Sequence, residues 1–186
     1  MNILLGLAPF IAFFVLARSI GATAGLWAAA AIAAALLVRA RLRGQTEVKV
    51  LEAGAAVLFV GLAVIASFLR PDWSVFAVRV FVDLGLVAIT LGSILIGRPF
   101  TLQYAREQVP QERWTHPLFL AANRRISAVW AFAFVVETAC SALIAWVPGV
   151  PAALPLVANV LALLGAVIFT AEYPRRLRAR SAIVNQ

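Results

Sequence analysis

Charge is what this sequence has least of. Only 13% of its 186 residues are Asp, Glu, Lys or Arg, and 63% are hydrophobic, with a mean hydropathy of +0.96. A water-soluble domain carries about 25% charged residues on its surface. So apolar a chain can cover its outside only if lipid is the solvent. Cysteine and histidine are nearly missing. Cys140 is the single cysteine, which excludes an intramolecular disulfide. His116 is the single histidine, which excludes a conventional zinc centre and a haem held by two histidines of one chain. No Gly-x-Ser-x-Gly, phosphate-binding loop or metal-ligand spacing occurs. The reading is therefore a protein without cofactor or metal, and not an enzyme.

What is present is a series of apolar runs at 3–17, 20–38, 50–69, 74–96, 126–147 and 152–173. A helix needs about 20 residues to cross a hydrocarbon core of about 30 Å. The expected fold is all-α, a polytopic transmembrane bundle of about six hydrophobic helices in a single domain over 1–186. The first run is short, so it either crosses thinned bilayer or pairs with the second as a re-entrant hairpin. The N-terminus has the apolar stretch of a secretory signal but no basic n-region, and further apolar runs follow at once, so it reads as part of the mature protein.

The net charge of +8 would suggest nucleic acid in a soluble protein. Here the basic residues fall in short clusters between the runs, with no reading motif, so nucleic acid is excluded as a partner. Arg39, Arg41, Arg43 and Lys49 lie in one connection. Arg98, Arg106, Arg113, Arg124 and Arg125 lie in another, and Arg175, Arg176, Arg178 and Arg180 in the tail. Arg18 and Arg70 alone fall to the other side. This thirteen-to-two bias predicts that both termini and the two basic loops face the cytoplasm.

Segment 97–125 differs from the rest, because prolines divide it and charges mix with aromatics. It is expected to lie on the cytoplasmic membrane interface, with Tyr104 and Trp114 at headgroup depth and Arg98, Arg106 and Arg113 near phosphates. Residues 174–186 are expected to form a basic cytoplasmic tail. Gly21-x-x-x-Gly25 followed by Ala29 marks a close-packing stripe, used within the chain or in a homodimer.

Ionisable groups inside a membrane are costly and mark candidate sites. Glu52 and Glu172 lie near basic helix ends, where Lys49 and Arg175 or Arg176 reach them, and read as anchors. Arg79 and Asp83 are four apart on one helix face, continued by Leu86, Thr90, Ser93 and Gly97. Glu137 and Asn159 reach comparable depth, so Arg79, Asp83, Glu137 and Asn159 are expected to meet in one buried polar cluster. The cluster reads first as a knot that fixes helix register, and second as a proton or ion relay. His116 reads as an exposed loop residue.

The residues Leu4-Leu5-Gly6-Leu7-Ala8-Pro9-Phe10 with Phe13-Phe14 open a pattern that continues through Val48-Lys49-Val50-Leu51, Gly61-Leu62-Ala63-Val64 and Ile94-Leu95-Ile96-Gly97-Arg98-Pro99 to Pro110, Trp114, Asn123, Trp130 and Phe134. Across nearly the whole chain this resembles the intracellular septation protein A family of bacterial inner-membrane proteins, as a member or a distant sister family. Arg79, Asp83, Glu137 and the longer 101–125 stretch have no match in it. The resemblance implies a bacterial inner-membrane location and a role in envelope maintenance or septation. It further implies action through division and envelope-assembly proteins rather than catalysis, while the interface segment and basic loops are expected to contact membrane lipids or those partners.

Overall fold

The computed structural model describes residues 3–45, 48–69, 73–151 and 153–184, with side chains placed from residue 5 to residue 177 within those bounds. Arg70, counted above on the outer side, and the side chains of Arg178 and Arg180 lie outside the described residues. The elements run α1 Ile3–Gly6, α2 Ala8–Ile20, α3 Ala22–Leu42, α4 Val50–Phe68, α5 Val75–Leu95, α6 Phe100–Arg106, a 3-10 turn Gln111–Arg113, α7 Pro117–Trp146 and α8 Ala153–Val184. No strand occurs among the described residues. The fold is an all-α bundle, and α3, α4, α5, α7 and α8 are each long and apolar enough to cross a membrane. The protein is a multi-pass membrane protein.

Gly21 joins α2 to α3 with no loop between them. Its φ of 88° is a conformation open mainly to glycine, and it reverses the chain in one residue. Just beyond it, a Cβ added at Gly25 would stand 2.9 Å from the Ala17 Cα, so the two helices touch backbone to backbone. The small-residue stripe thus closes a hairpin within the chain, while Gly21 itself serves as the hinge.

The first run proves longer in effect than its hydropathy suggests. At its start Gly6 lies against the Tyr104 hydroxyl and Leu51, at the end of the bundle where α4 and α6 begin. Phe10 and Phe13 pack on Phe59 in the middle of α4, and Ala17 meets Gly25 at the far end. Over 3–20, at 1.5 Å per residue, α1 and α2 cover about 27 Å. They run antiparallel to α3 through the bundle rather than folding back midway.

Alternation continues through the remaining helices. Leu58 on α4 fills the space left by Gly85 on α5, and Ile89 fills that left by Gly54 at 2.8 Å. The stripe predicted on α5 is buried at Asp83, Leu86, Thr90 and Ser93. Gly97 departs from it: it is exposed and lies past the helix end. There, at φ 72°, it lets Arg98 N–H reach the Ser93 carbonyl and its own N–H reach that of Ile94. That pair of bonds is a Schellman stop, which satisfies carbonyls the helix would otherwise leave bare.

Helices α7 and α8 both outrun their apolar stretches. The hydropathy limits of 126 and 173 become Pro117 and Val184. Pro117 takes the first helical position, where its missing N–H costs nothing. The His116 side chain accepts from Leu118 N–H at 3.2 Å and caps the helix. His116 is exposed, as expected, but it has this structural task. Pro174 sits inside α8 without ending it. A hydropathy limit marks only where lipid would end, and polar helical turns beyond it are invisible to such a reading.

The expectation for Tyr104 needs correction. Segment 97–125 does not lay its aromatics outward as one surface strip. Phe100 is fully buried and Tyr104 is 3% exposed. The short α6 turns Phe100, Leu102 and Tyr104 into the bundle end, held by Ser93 Oγ accepting from Phe100 N–H at 3.0 Å. Thr101 Oγ1 ties it to the Asn123 carbonyl and to Ser127 on α7, at 2.9 and 2.7 Å. Arg98 and Arg113 are exposed, while Arg106 and Trp114 are half-buried against each other, 5.2 Å from guanidinium to ring.

Candidate functional site

The four residues singled out in the apolar runs come together between α2, α5, α7 and α8. Arg79 and Asp83 are one turn apart on α5, with Arg79 Nε 3.7 Å from Asp83 Oδ2. The same guanidinium reaches across to α7, where its Nη2 lies 3.8 Å from Glu137 Oε1. Asn159 of α8 borders the same cavity as Glu137, and its Oδ1 is buried without a hydrogen-bond partner.

Two further members were not foreseen. Ser141 Oγ donates to Asp83 Oδ2 at 2.5 Å. Its place four residues after Glu137, on the same face of α7, is a signal a closer reading of the spacing would have found. Phe14 lies under the Arg79 guanidinium at 4.2 Å, and nothing in the sequence linked it to that arginine. A cation over an aromatic face is stabilised by the ring quadrupole, more so away from water.

These groups border a cavity of about 280 Å³ whose other walls are apolar, among them Phe10, Phe13, Leu86 and Leu163. Both ion-pair distances exceed direct hydrogen-bond length, so Arg79 stands between its two carboxylates rather than clamped to either. One arginine faces two carboxylates, so with all three ionised the cluster carries one uncompensated negative charge.

A second ionic knot sits at the basic end. Lys49 Nζ lies 2.6 Å from Glu107 and 3.9 Å from Glu52, and 4.5 Å from the Tyr104 ring centre. Gln103 Oε1 accepts from Val50 N–H at 2.7 Å and so caps the first turn of α4. Burial pushes the Tyr104 hydroxyl well above the usual phenol range, and the negative charges of Glu52 and Glu107 add to the effect. Burial alone would raise Glu107, but its value lies below the usual carboxylate range, and the Lys49 ammonium 2.6 Å away contributes to that lowering. The Lys49–Glu52 anchor was legible in the sequence; Tyr104 and Glu107 were not. The other expected anchor joins Arg175 to Glu172 at 3.1 Å, in the open.

Cys140 is buried and unpaired, and no group of three potential metal ligands occurs among the described residues. Compared with models of known families, with curated proteins and with solved structures, the chain matches none.

Proposed function

We propose that this is a non-enzymatic protein of the bacterial inner membrane that serves envelope maintenance or septation through lipid and protein partners, with both termini in the cytoplasm. What supports the reading is the direction in which the polar groups turn. Arg79, Asp83, Glu137, Lys49 and Glu52 face one another inside the bundle, while the outward surface is apolar. Helix α8 carries this furthest: Leu154, Val157, Leu161, Leu164 and Ile168 are all more than half exposed. An apolar outer face of this extent meets lipid or another membrane helix. The septation role rests on the family resemblance described above. Its test is to purify the tagged chain from its own membrane and to delete it. Enrichment of division or envelope-assembly proteins, together with filamentation or envelope leakage on deletion, is the expected outcome. Normal division and envelope integrity in the deletion strain would defeat the reading.

A second reading is favoured by one observation, the cavity beside an ion cluster that is one positive charge short. An uncompensated charge inside a bilayer is expensive, and a proton or small cation balances it. In this reading the protein is a small proton-coupled carrier or channel, with Arg79, Asp83 and Glu137 as its exchange site. Purified protein in liposomes loaded with a pH-sensitive dye separates the two readings. Proton flux that disappears in Glu137→Gln supports the second, and a tight membrane supports the first.

A further inference from the structure

A cavity larger than the one beside the Arg79 cluster lies away from it. It measures about 830 Å³ and opens between α6 with its following turn, the first half of α7 and the second half of α8. That size falls within the range of ligand-binding cavities, about 300–1,000 Å³. Its two ends differ in chemistry. The inner end is walled by Ile126, Trp130 and Val167. The polar atom of that wall is already satisfied, since Trp130 Nε1 donates to Thr170 Oγ1 at 2.9 Å and Thr170 Oγ1 donates to the Ala166 carbonyl. This end therefore offers a guest only apolar contact.

The outer end offers donors and positive charge. Arg113 and His116 both border it. His116 Nδ1 accepts from Leu118 N–H, which leaves the ring proton on Nε2 and makes that nitrogen a free donor. Exposed Arg124 on α7 and Arg176 on α8 add charge of the same sign on the two flanking helices. Pro174, also in the wall, has no N–H, so the Thr170 carbonyl lacks the helical donor that residue 174 would normally supply.

An apolar slot with a basic, donor-bearing mouth on a membrane protein fits one chemistry: an apolar chain ending in an anionic headgroup. We propose that this cavity binds an acidic phospholipid of the surrounding bilayer, one acyl chain lying along Ile126, Trp130 and Val167 and the phosphate held by Arg113 and His116. The proposal is independent of both functional readings above. Lateral access comes from the bilayer itself, because the cavity opens between two helices that face lipid.

The test uses the full-length protein in phosphatidylcholine vesicles containing a small share of either phosphatidylglycerol or phosphatidylcholine brominated in the chain. Trp130 is 2% exposed, so bromine reaches it efficiently only from inside the cavity. In a variant with Trp27, Trp73, Trp114 and Trp146 changed to Phe, brominated phosphatidylglycerol is expected to quench Trp130 at about tenfold lower mole fraction than brominated phosphatidylcholine. Tenfold is about the worth of one charged hydrogen bond. Ala122→Phe, which fills the slot, should abolish the quenching. Arg113→Gln combined with His116→Asn, where Asn keeps the helix cap, should erase the preference for phosphatidylglycerol but leave quenching by both lipids. Native mass spectrometry of the protein with all its tryptophans gives the same comparison should the single-tryptophan variant fold poorly. Equal quenching by the two lipids, quenching that survives Ala122→Phe, or a preference that survives the mouth variant would each overturn the proposal. So would the absence of quenching by either lipid, which assigns the cavity to another kind of occupant.

Discussion

At the scale of single residues, Arg79 is the centre of its cluster, because it is the positive charge that two carboxylates share. The i, i+4 spacing suggested that loss of Asp83 alone would strand Arg79. The structure makes the losses of Arg79 and Asp83 unequal. Arg79→Leu leaves two buried carboxylates facing each other and is expected to cost about 3–5 kcal/mol, the range for stranding a buried charge. Asp83→Leu leaves Arg79 still paired with Glu137 at 3.8 Å and should cost distinctly less. Thermal unfolding in detergent measures both, and equal losses would remove Arg79 from its central position. Glu107 supports a second prediction. Its acidity is increased in the folded protein, with Lys49 at 2.6 Å as a partner. A carboxyl lowered on folding contributes stability that is present above the ordinary glutamate range and is lost as pH falls through the folded value. Glu107→Gln should therefore destabilise by about 1 kcal/mol or less near neutral pH, because solvent screens the pair. The gap from the parent protein should close in acid. A gap that widens on acidification would contradict the assigned pairing.

At the scale of elements, the α2–α3 hairpin depends on backbone contact rather than on side-chain volume. Gly25→Ala puts a methyl 2.9 Å from Ala17 Cα. Backbone must shift to admit it, and overpacking of this kind costs about 1–3 kcal/mol. Gly61, mid-helix on α4, has open space where a Cβ would stand, so Gly61→Ala should be neutral or slightly stabilising. Comparing the two melting temperatures in one detergent checks the hairpin, and equal effects would contradict it. The Gly21-x-x-x-Gly25 spacing was legible in the sequence. That its partner would be the preceding helix was not, because the same stripe serves a dimer equally well. For α6 the sequence misled. Its aromatics suit an interface as well as a protein core, and only docking of α6 against Ser93, Asn123 and Ser127 shows that Phe100 and Tyr104 turn inward.

For the molecule as a whole, the structure establishes the bundle, and the charge distribution predicts its orientation. The connection after α3, the α6 region and the second half of α8 gather at one end, and they carry most of the basic residues. The positive-inside rule predicts that this end faces the cytoplasm. Alkaline phosphatase, active only outside the cytoplasm, should be silent when inserted after Gly44 or fused to the C-terminus, and active when inserted at Gly149 between α7 and α8. Activity at either of the first two sites would invert the topology.

The sequence by itself determined that the chain is helical and lives in lipid. Hydropathy is additive along a chain, and a run of about 20 apolar residues has no other stable solution in a bilayer. It also determined which costly groups had to find partners, since Arg79, Asp83, Glu137 and Asn159 have no solvent to fall back on within their runs. Only the tertiary structure decided who those partners are. Ser141 and Phe14 join one cluster, and Tyr104 and Glu107 join another, through contacts between elements far apart in the chain. The tertiary structure also decided where empty space remains. Both cavities are walled by residues from helices far apart in the chain, and local composition carries no record of where such helices leave space between them.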